Sequence, residues 1–159
     1  MSYLVVKWLH LLGAAVLLGT GMGIAFFAWF GYRMALRDNN LDLLRGVLVL
    51  TVRADALFTA LAAIAQPLTG LALWWMTGGT WPSRWLAWVL AAYVFVGICW
   101  LPVVVLQIRL RNAALAAPSI NQLGPQFHAR FRLWFLLGLP AFATMLALFA
   151  LMLLRHHIS

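Results

Sequence analysis

Residues 3–30 read YLVVKWLHLLGAAVLLGTGMGIAFFAWF, an apolar run in which Lys7 is the only charged residue. A helix needs about 20 apolar residues to cross the hydrocarbon core of a bilayer, and this run is long enough. His10 is the only histidine of the chain that lies inside a long apolar run. An ionisable residue within lipid is costly, so His10 is a candidate functional residue.

The composition of the whole chain also indicates that most of the protein lies in lipid. Of 159 residues, 65% are hydrophobic and only 9% are charged, and the mean hydropathy is +0.96. Soluble domains are about 45–50% apolar and about 25% charged. A chain of this size cannot bury so much apolar surface in its own core, so the sequence predicts an integral membrane protein.

Hydropathy divides the chain into four spans separated by short polar or Gly/Pro-containing segments. Backbone N–H and C=O groups within lipid must be paired internally, so each span is predicted to be an α-helix. Short connections favour antiparallel neighbours. We therefore expect an all-α, four-helix antiparallel bundle that forms a single transmembrane domain over residues 1–159. The predicted spans are residues 3–30, 54–76, 85–106 and 133–154.

The segment between the first two spans is predicted to contain a further, cytoplasmic helix. Asn40 directly precedes Leu41, and asparagine at an N-cap accepts a hydrogen bond from the first turn. The helix is predicted to cover residues 41–52 and to be able to run straight into the second span.

The distribution of Lys and Arg predicts the orientation. Eight of these residues lie in or beside the first and third connections, and three lie on the other side. The positive-inside rule then places both connections in the cytoplasm and both termini outside, on the periplasmic side of a bacterial inner membrane. The net charge of +8 is spread over short loops that contact lipid headgroups, so no nucleic acid partner is expected. Tryptophans near the span ends, Trp134 among them, fit an aromatic belt.

His10 lies beside small residues such as Ala14 and Gly21, which leave room for a flat cofactor. Haem is usually held by a histidine, sometimes with a methionine or a second histidine. One hypothesis is therefore b-type haem with His10 as the metal ligand. The alternative is a neutral His10 bonded to a neighbouring helix, with Lys7 reaching out to the headgroups. Possible second ligands in the same leaflet are Met76, Met152, His156 and His157, and possible propionate partners are Lys7, Arg84 and Arg155.

A second group of polar residues is predicted near the cytoplasmic surface. It could bind an anion or a quinone headgroup, or it could be positive-inside charge with one structural salt bridge from Asp55 to Arg109, Arg111, Arg130 or Arg132. The chain has no phosphate-binding glycine loop and no HExxH motif, so hydrolytic chemistry is not expected. The members of this possible polar site are Arg53, Asp55, Gln66, Gln107, Arg109, Arg130 and Arg132.

Ala15, Gly19 and Gly23 form a ladder of small residues on the first span. Such a ladder lets another helix approach closely. Packing within the bundle is favoured over a homodimer seam, and both remain open. The ladder also supports an alternative function, in which the chain is a non-enzymatic membrane scaffold or an accessory subunit of a homo-oligomer or larger membrane complex.

Several short motifs together resemble a bacterial inner-membrane family classified as a domain of unknown function. The resemblance covers nearly the whole chain and implies a multi-pass membrane protein without assigning an activity. The motifs are Lys7-x-x-His10, Arg53-Ala54-Asp55, Phe58-Thr59, Gln66-Pro67-x-x-Gly70, Cys99-Trp100-Leu101-Pro102, Gln107-Ile108-Arg109 and Arg130-Phe131-Arg132.

The Lys7-x-x-His10 motif is also distantly similar to the haem-containing protoporphyrinogen oxidase family of bacteria and to the copper-resistance D membrane domain. This likeness implies haem b on His10 and electron transfer or porphyrin-related redox chemistry. In the oxidase family a tryptophan-led third helix carries histidine and lysine, whereas here Trp85 is followed by Leu86 and Ala87. Only Lys7 and His10 carry over.

Overall fold

The computed structural model describes residues 2–81 and 83–153, which form four long helices. Each helix is long and apolar enough to cross a membrane. Neighbouring helices run in opposite directions, because the end of one packs on the start of the next, as Gly31 does on Val47. The predicted all-α, antiparallel four-helix architecture is confirmed. The helices are α1 (Tyr3–Arg37), α2 (Leu41–Met76), α3 (Arg84–Ala116) and α4 (Pro125–Leu153).

The two ends of the bundle differ in charge. At one end α1 finishes and α2 begins, and α3 finishes and α4 begins. Eight of the eleven Lys and Arg residues lie in this half, which we call the basic half. The other half, the opposite half, holds the start of α1 and the connection between α2 and α3.

The turn between α1 and α2 is built by two asparagines. Asn39 has a φ of 50°, a left-handed conformation that asparagine tolerates better than most residues and that ends α1. The side chain of Asn40 accepts a hydrogen bond from the Leu43 amide at 2.9 Å, which confirms the predicted N-cap. Arg37 donates to Asp38 at 2.6 Å, and this hydrogen bond holds the pKa of the Asp38 carboxyl below its usual value.

α2 runs without interruption from Leu41 to Met76, so the helix predicted at residues 41–52 continues into the membrane. Its hydrogen-bond pattern widens into a π-turn at Asp55–Thr59. π-Turns inside α-helices often occur at the functional sites of proteins. Four residues nearly complete one π-turn, so Asp55 and Thr59 share one face, and both side chains are buried.

α3 and α4 extend well beyond the boundaries that hydropathy predicts. The helices continue because Gln and Arg end an apolar span without being poor helix formers. What remains between them is residues 117–124, which include a 3-10 turn at Ile120–Gln122. Arg45 of α2 donates to the carbonyl groups of Ala114 at 3.1 Å and Ala117 at 2.8 Å. It thereby pairs carbonyls that the end of α3 leaves without helical partners.

The packed core lies in the basic half. α3 and α4 pack most extensively on one another, and α1 packs along α2. The two pairs are joined by contacts of α2 with α3 and of α1 with α4. Phe131, only 1% exposed, lies at the centre of this core. The buried cluster is Ala28, Ala35, Leu44, Leu48, Leu106, Leu110, Ala114, Ile120, Leu123, Phe127, Phe131 and Trp134.

The opposite half is much more open. The described part of α4 has no buried residue after Trp134. Within the described residues, none of the most apolar 18-residue stretch of α4 is buried inside the protein. Large apolar side chains such as Leu4, Trp75 and Leu153 are more than two-thirds exposed. This surface is apolar because lipid, not protein, covers it.

Small residues bring α1 close to α2, but they are not those of the predicted ladder. A Cβ atom added to Gly31 would lie 2.6 Å from Val47 Cγ2, and one on Gly13 would lie 2.6 Å from Gln66 Nε2. For Gly19 and Gly23, nothing in the described part of the chain lies within 4 Å of such an atom. The expected packing of this ladder within the bundle is therefore wrong, because α2 contacts a different face of α1.

We expect Gly31→Ala to destabilise the protein by about 1–3 kcal/mol, since the added methyl group overpacks the contact with Val47. Gly46→Ala is the matched control, because a Cβ there meets nothing within 4 Å in the described structure. Thermal unfolding in detergent measures both variants. Equal stability of the two variants would contradict the close approach of α1 and α2.

Candidate functional site

His10 is half-buried in the opposite half and is held by α2. Its Nδ1 lies 2.8 Å from Thr69 Oγ1. The Thr69 hydroxyl also lies 2.8 Å from the Ala65 carbonyl, to which it donates its one proton. The hydroxyl therefore accepts a hydrogen bond from Nδ1–H of His10. In a neutral imidazole with its proton on Nδ1, the lone pair of Nε2 can accept a hydrogen bond or bind a metal.

The same segment of α2 also binds the backbone of His10 and packs against its ring. Gln66 donates from Nε2 to the His10 carbonyl at 2.8 Å. A Cβ atom on Gly70 would lie 3.1 Å from Cε1 of His10, which is tighter than an ordinary contact, so the glycine lets the imidazole lie close against α2. Gln66, Thr69 and Gly70 thus fix both the position and the orientation of His10.

Pro67 explains a further contact beside this site. Proline has no N–H, so the carbonyl of Ala63, four residues earlier, loses its helical partner. The hydroxyl of Tyr93 on α3 donates to that carbonyl. The freed group is therefore paired by another helix, as membrane helices require. Gln66, which directly precedes Pro67, bonds to α1 instead.

The faces of α1 show where His10 points. Ala28, with 0% exposure, lies at the bundle centre. His10 precedes it by 18 residues, about five full helical turns, so the two residues share one face. His10 is therefore directed toward the bundle axis, in the half where the helices are loosely packed.

The other predicted haem-site residues take different positions. Met76 lies beyond Thr69 on α2 by about 10 Å along the helix axis. Lys7 is exposed, with its Nζ 5.8 Å from the centre of the Tyr3 ring. Arg84 is exposed at the start of α3. His156, together with His157 and Arg155, lies outside the described residues. Within the described ranges, no group of three or more His, Cys, Asp or Glu side chains could hold a metal ion.

Counting residues along α1 and α4 gives Met152 about the same depth as His10. The ring of Trp29 packs 4.5 Å from that of Phe135, and the ring of Tyr32 packs 3.9 Å from that of Phe131. Two antiparallel helices keep this register because each rises about 1.5 Å per residue. Counted from these contacts into the opposite half, residues near 152 of α4 reach about the same depth as His10.

Asp55 lies at the centre of a second polar arrangement, which links α2, α3 and α4. Its Oδ1 accepts a hydrogen bond from Trp100 Nε1 at 3.2 Å, and its Oδ2 accepts one from Gln107 Nε2 at 2.6 Å. Gln107 Oε1 accepts in turn from Trp134 Nε1 at 3.4 Å. Because an indole N–H only donates, the two tryptophans fix the direction of every bond in this network.

The expected salt bridge from Asp55 to Arg109, Arg111, Arg130 or Arg132 is wrong. Ion pairs in residues 2–81 and 83–153 are formed by Arg37 with Asp38 and by Arg45 with Asp42. Asp55 faces the core, where neutral donors surround it. The arginines of the possible polar site do not lie in the core with Asp55. Arg53, Arg109 and Arg132 are exposed, and Arg130 is partly exposed.

The possible polar site therefore separates into distinct places. Asp55 and Gln107 meet in the core, while the arginines lie at the surface. Gln66 belongs with His10, about 16 Å along α2 from Asp55. Thr59 is buried one turn from Asp55, and its Oγ1 has no hydrogen-bond partner in the described structure.

The sequence alone did not identify several side chains of these sites. Trp100 and Trp134 are donors in the Asp55 network, although tryptophans in membrane proteins usually indicate a belt. Thr69 follows Gln66 by three residues and so lies near it on the helix surface. That spacing is the sequence feature from which Thr69 could have been predicted to lie beside Gln66. Nothing in the sequence marks Tyr93 as the partner of Ala63 across two helices.

The fold and its lipid-facing surface define a multi-pass integral membrane protein with four apolar helices. The chain belongs to the family described as "Predicted integral membrane protein (DUF2269)", which matches residues 4–156. Comparisons with curated proteins and with solved structures give no match. The family description names a location and no reaction, so the function has to be argued from the side chains.

We expect Asp55→Ala to cost about 1–3 kcal/mol or more, because it leaves Trp100 and Gln107 with buried donors that lack an acceptor. Thr59→Val should be neutral or stabilising, since it replaces a buried, unpaired hydroxyl by a methyl group of similar shape. Thermal unfolding of both variants in one detergent tests the network. A tolerated Asp55→Ala would show that these bonds do not hold the three helices together.

Proposed function

We propose that this protein binds b-type haem on His10 and serves electron transfer or porphyrin-related redox chemistry in the bacterial inner membrane. The observation that carries the proposal is the hydrogen bond from His10 Nδ1 to Thr69. Histidines that ligate metals commonly donate their other ring nitrogen to a protein oxygen, which sets the tautomer and the ring orientation. Bound haem would supply one-electron redox chemistry at this depth of the membrane.

The loose packing around His10 supports the same proposal. The imidazole shares the inward face of Ala28, and the described part of α4 buries no residue beyond Trp134. A planar cofactor needs such space between helices, as in other helical bundles with cofactors in their interior. Lys7, one turn from His10, and Arg84 offer cations for the propionate groups.

Met152 is the best-supported second ligand. The register of α1 and α4 brings it level with His10, whereas Met76 lies about 10 Å farther along α2 than Thr69. A thioether sulfur opposite an imidazole is an established haem ligand pair and raises the reduction potential. His156 also stays a candidate of the proposal.

Protein purified in detergent, or reconstituted with haemin, should show a Soret band near the border of the visible and ultraviolet. His10→Ala should abolish the band, and Thr69→Val should weaken haem affinity about 10–100-fold, because it removes the partner of Nδ1. His128→Ala, in the basic half, is the matched control and should retain the band. A wild-type protein that stays colourless after reconstitution would sink the proposal.

Met152→Ala should leave haem bound but change the spectrum from low-spin, six-coordinate to high-spin, five-coordinate iron, because one axial ligand is lost. Met22→Ala is the control, since Met22 is exposed on α1 and lies about 18 Å from His10 along that helix. Absorption and electron paramagnetic resonance spectra separate the two states. An unchanged spectrum in Met152→Ala would assign the second ligand elsewhere.

The proposed orientation places the basic half at the cytoplasm. Eight Lys and Arg residues there, against two in the described part of the opposite half, support it through the positive-inside rule. Haem on His10 would then lie in the periplasmic leaflet, and both termini would face the periplasm.

A scaffold or accessory-subunit role is the second candidate, and the uncovered glycines of α1 favour it. A Cβ atom added to Gly19 or Gly23 would meet nothing within 4 Å among the described residues, so another helix could approach α1 there.

For this candidate, Gly19→Leu should abolish oligomers seen by crosslinking or native mass spectrometry, because its side chain prevents close helix approach. Gly46→Leu, at another open glycine, should leave them unchanged. Identical oligomers in both variants would rule out the α1 seam.

A further inference from the structure

A groove lies between α1 and α4 in the basic half, away from His10. Its volume is about 380 Å³. We call it the aromatic groove, because its floor is made of rings and its rim of charged and aliphatic side chains. The residues that line it are Trp29, Tyr32, Arg33, Leu36, Phe131 and Arg132.

The floor of the aromatic groove is held rigidly. The ring of Tyr32 stacks on that of Phe131 with centroids 3.9 Å apart and an angle of 16°. The Tyr32 hydroxyl is fixed at its far end by a 2.6 Å hydrogen bond with Nδ1 of His128. The ring of Trp29 also stacks on that of Phe131, with centroids 6.3 Å apart and an angle of 28°. The floor is thus a preformed apolar surface.

The rim of the aromatic groove is positively charged. Arg33 and Arg132 are both exposed. Ion pairs in the described ranges are made by Arg37 and Arg45, so neither rim arginine has a carboxylate partner there. Arg33 lies about 6 Å from the end of α1, and Arg132 about 10 Å from the start of α4. The helices are antiparallel, so both guanidinium groups lie at a similar depth, near the headgroup level.

We propose that the aromatic groove binds one anionic glycerophospholipid, with its phosphate between Arg33 and Arg132 and an acyl chain along the floor. Guanidinium groups bind phosphate through paired hydrogen bonds, and lysine does not reproduce that geometry. Basic pockets between membrane helices are suited to anionic lipid headgroups. A soluble anion would use the rim but leave the apolar floor uncovered, whereas a lipid covers both. This site is independent of haem binding.

The test uses the full chain in nanodiscs that contain phosphatidylcholine with increasing fractions of phosphatidylglycerol. Native mass spectrometry counts the lipids retained after transfer to detergent. Wild-type protein should retain one phosphatidylglycerol per chain and no phosphatidylcholine. The double variant Arg33→Gln/Arg132→Gln should bind phosphatidylglycerol roughly 10- to 30-fold more weakly, from about 1 kcal/mol for each basic residue.

The matched control is Arg37→Gln/Arg111→Gln, which removes the same charge from the same end of the bundle. It should retain phosphatidylglycerol as the wild type does, and equal losses in both double variants would overturn the proposal in favour of general surface charge. Leu36→Asp places a negative charge on the rim and should also weaken retention. All variants should unfold at the wild-type temperature in pure phosphatidylcholine, because none of the changed side chains is buried. Displacement of the lipid by excess inorganic phosphate would assign the site to a soluble anion and overturn the proposal.

Discussion

Polar groups within this bundle have to find partners in the protein, because lipid offers none. The contacts between helices follow from that constraint. His10 is bonded to Thr69, and the carbonyl that Pro67 frees is bonded to Tyr93. Asp55 is bonded to side chains of α3. Apolar surface does not drive helices together in lipid, so these bonds and close packing decide which faces meet.

The same constraint divides the molecule into two halves that differ in packing. The basic half combines a dense aromatic core with the Asp55 network, and it sets the register of all four helices. The opposite half has few buried residues. Its helices are joined by the close approach of α1 to α2 at Gly13 and by polar contacts such as Trp85 Nε1 with the Leu151 carbonyl. A rigid half can hold the geometry of a loosely packed one, because each helix continues from one half into the other.

The fold was predictable from the sequence, but the pairing of its polar residues was not. Long apolar runs and the N-cap at Asn40 are local signals, and they gave four helices and the start of α2. Cys99 is buried, as a small hydrophobe would be. The partners of Asp55 depend on helix rotation, which α2 acquires through a π-turn that has no recognisable sequence signal. For the same reason Gly13 and Gly31, not the ladder at Gly19 and Gly23, contact α2.

The candidate site follows from this rotation and not from the histidine alone. A lone His10 on an apolar helix is compatible with a structural role, in which Thr69 merely pairs it. Both ring nitrogens would then need partners, since an unpaired polar atom in lipid is costly. Among the described residues, Thr69 pairs Nδ1 of the ring. In the proposed haem site Nε2 is the nitrogen that would hold the iron, and the bond of Nδ1 to Thr69 would fix the ring in the tautomer that this role requires.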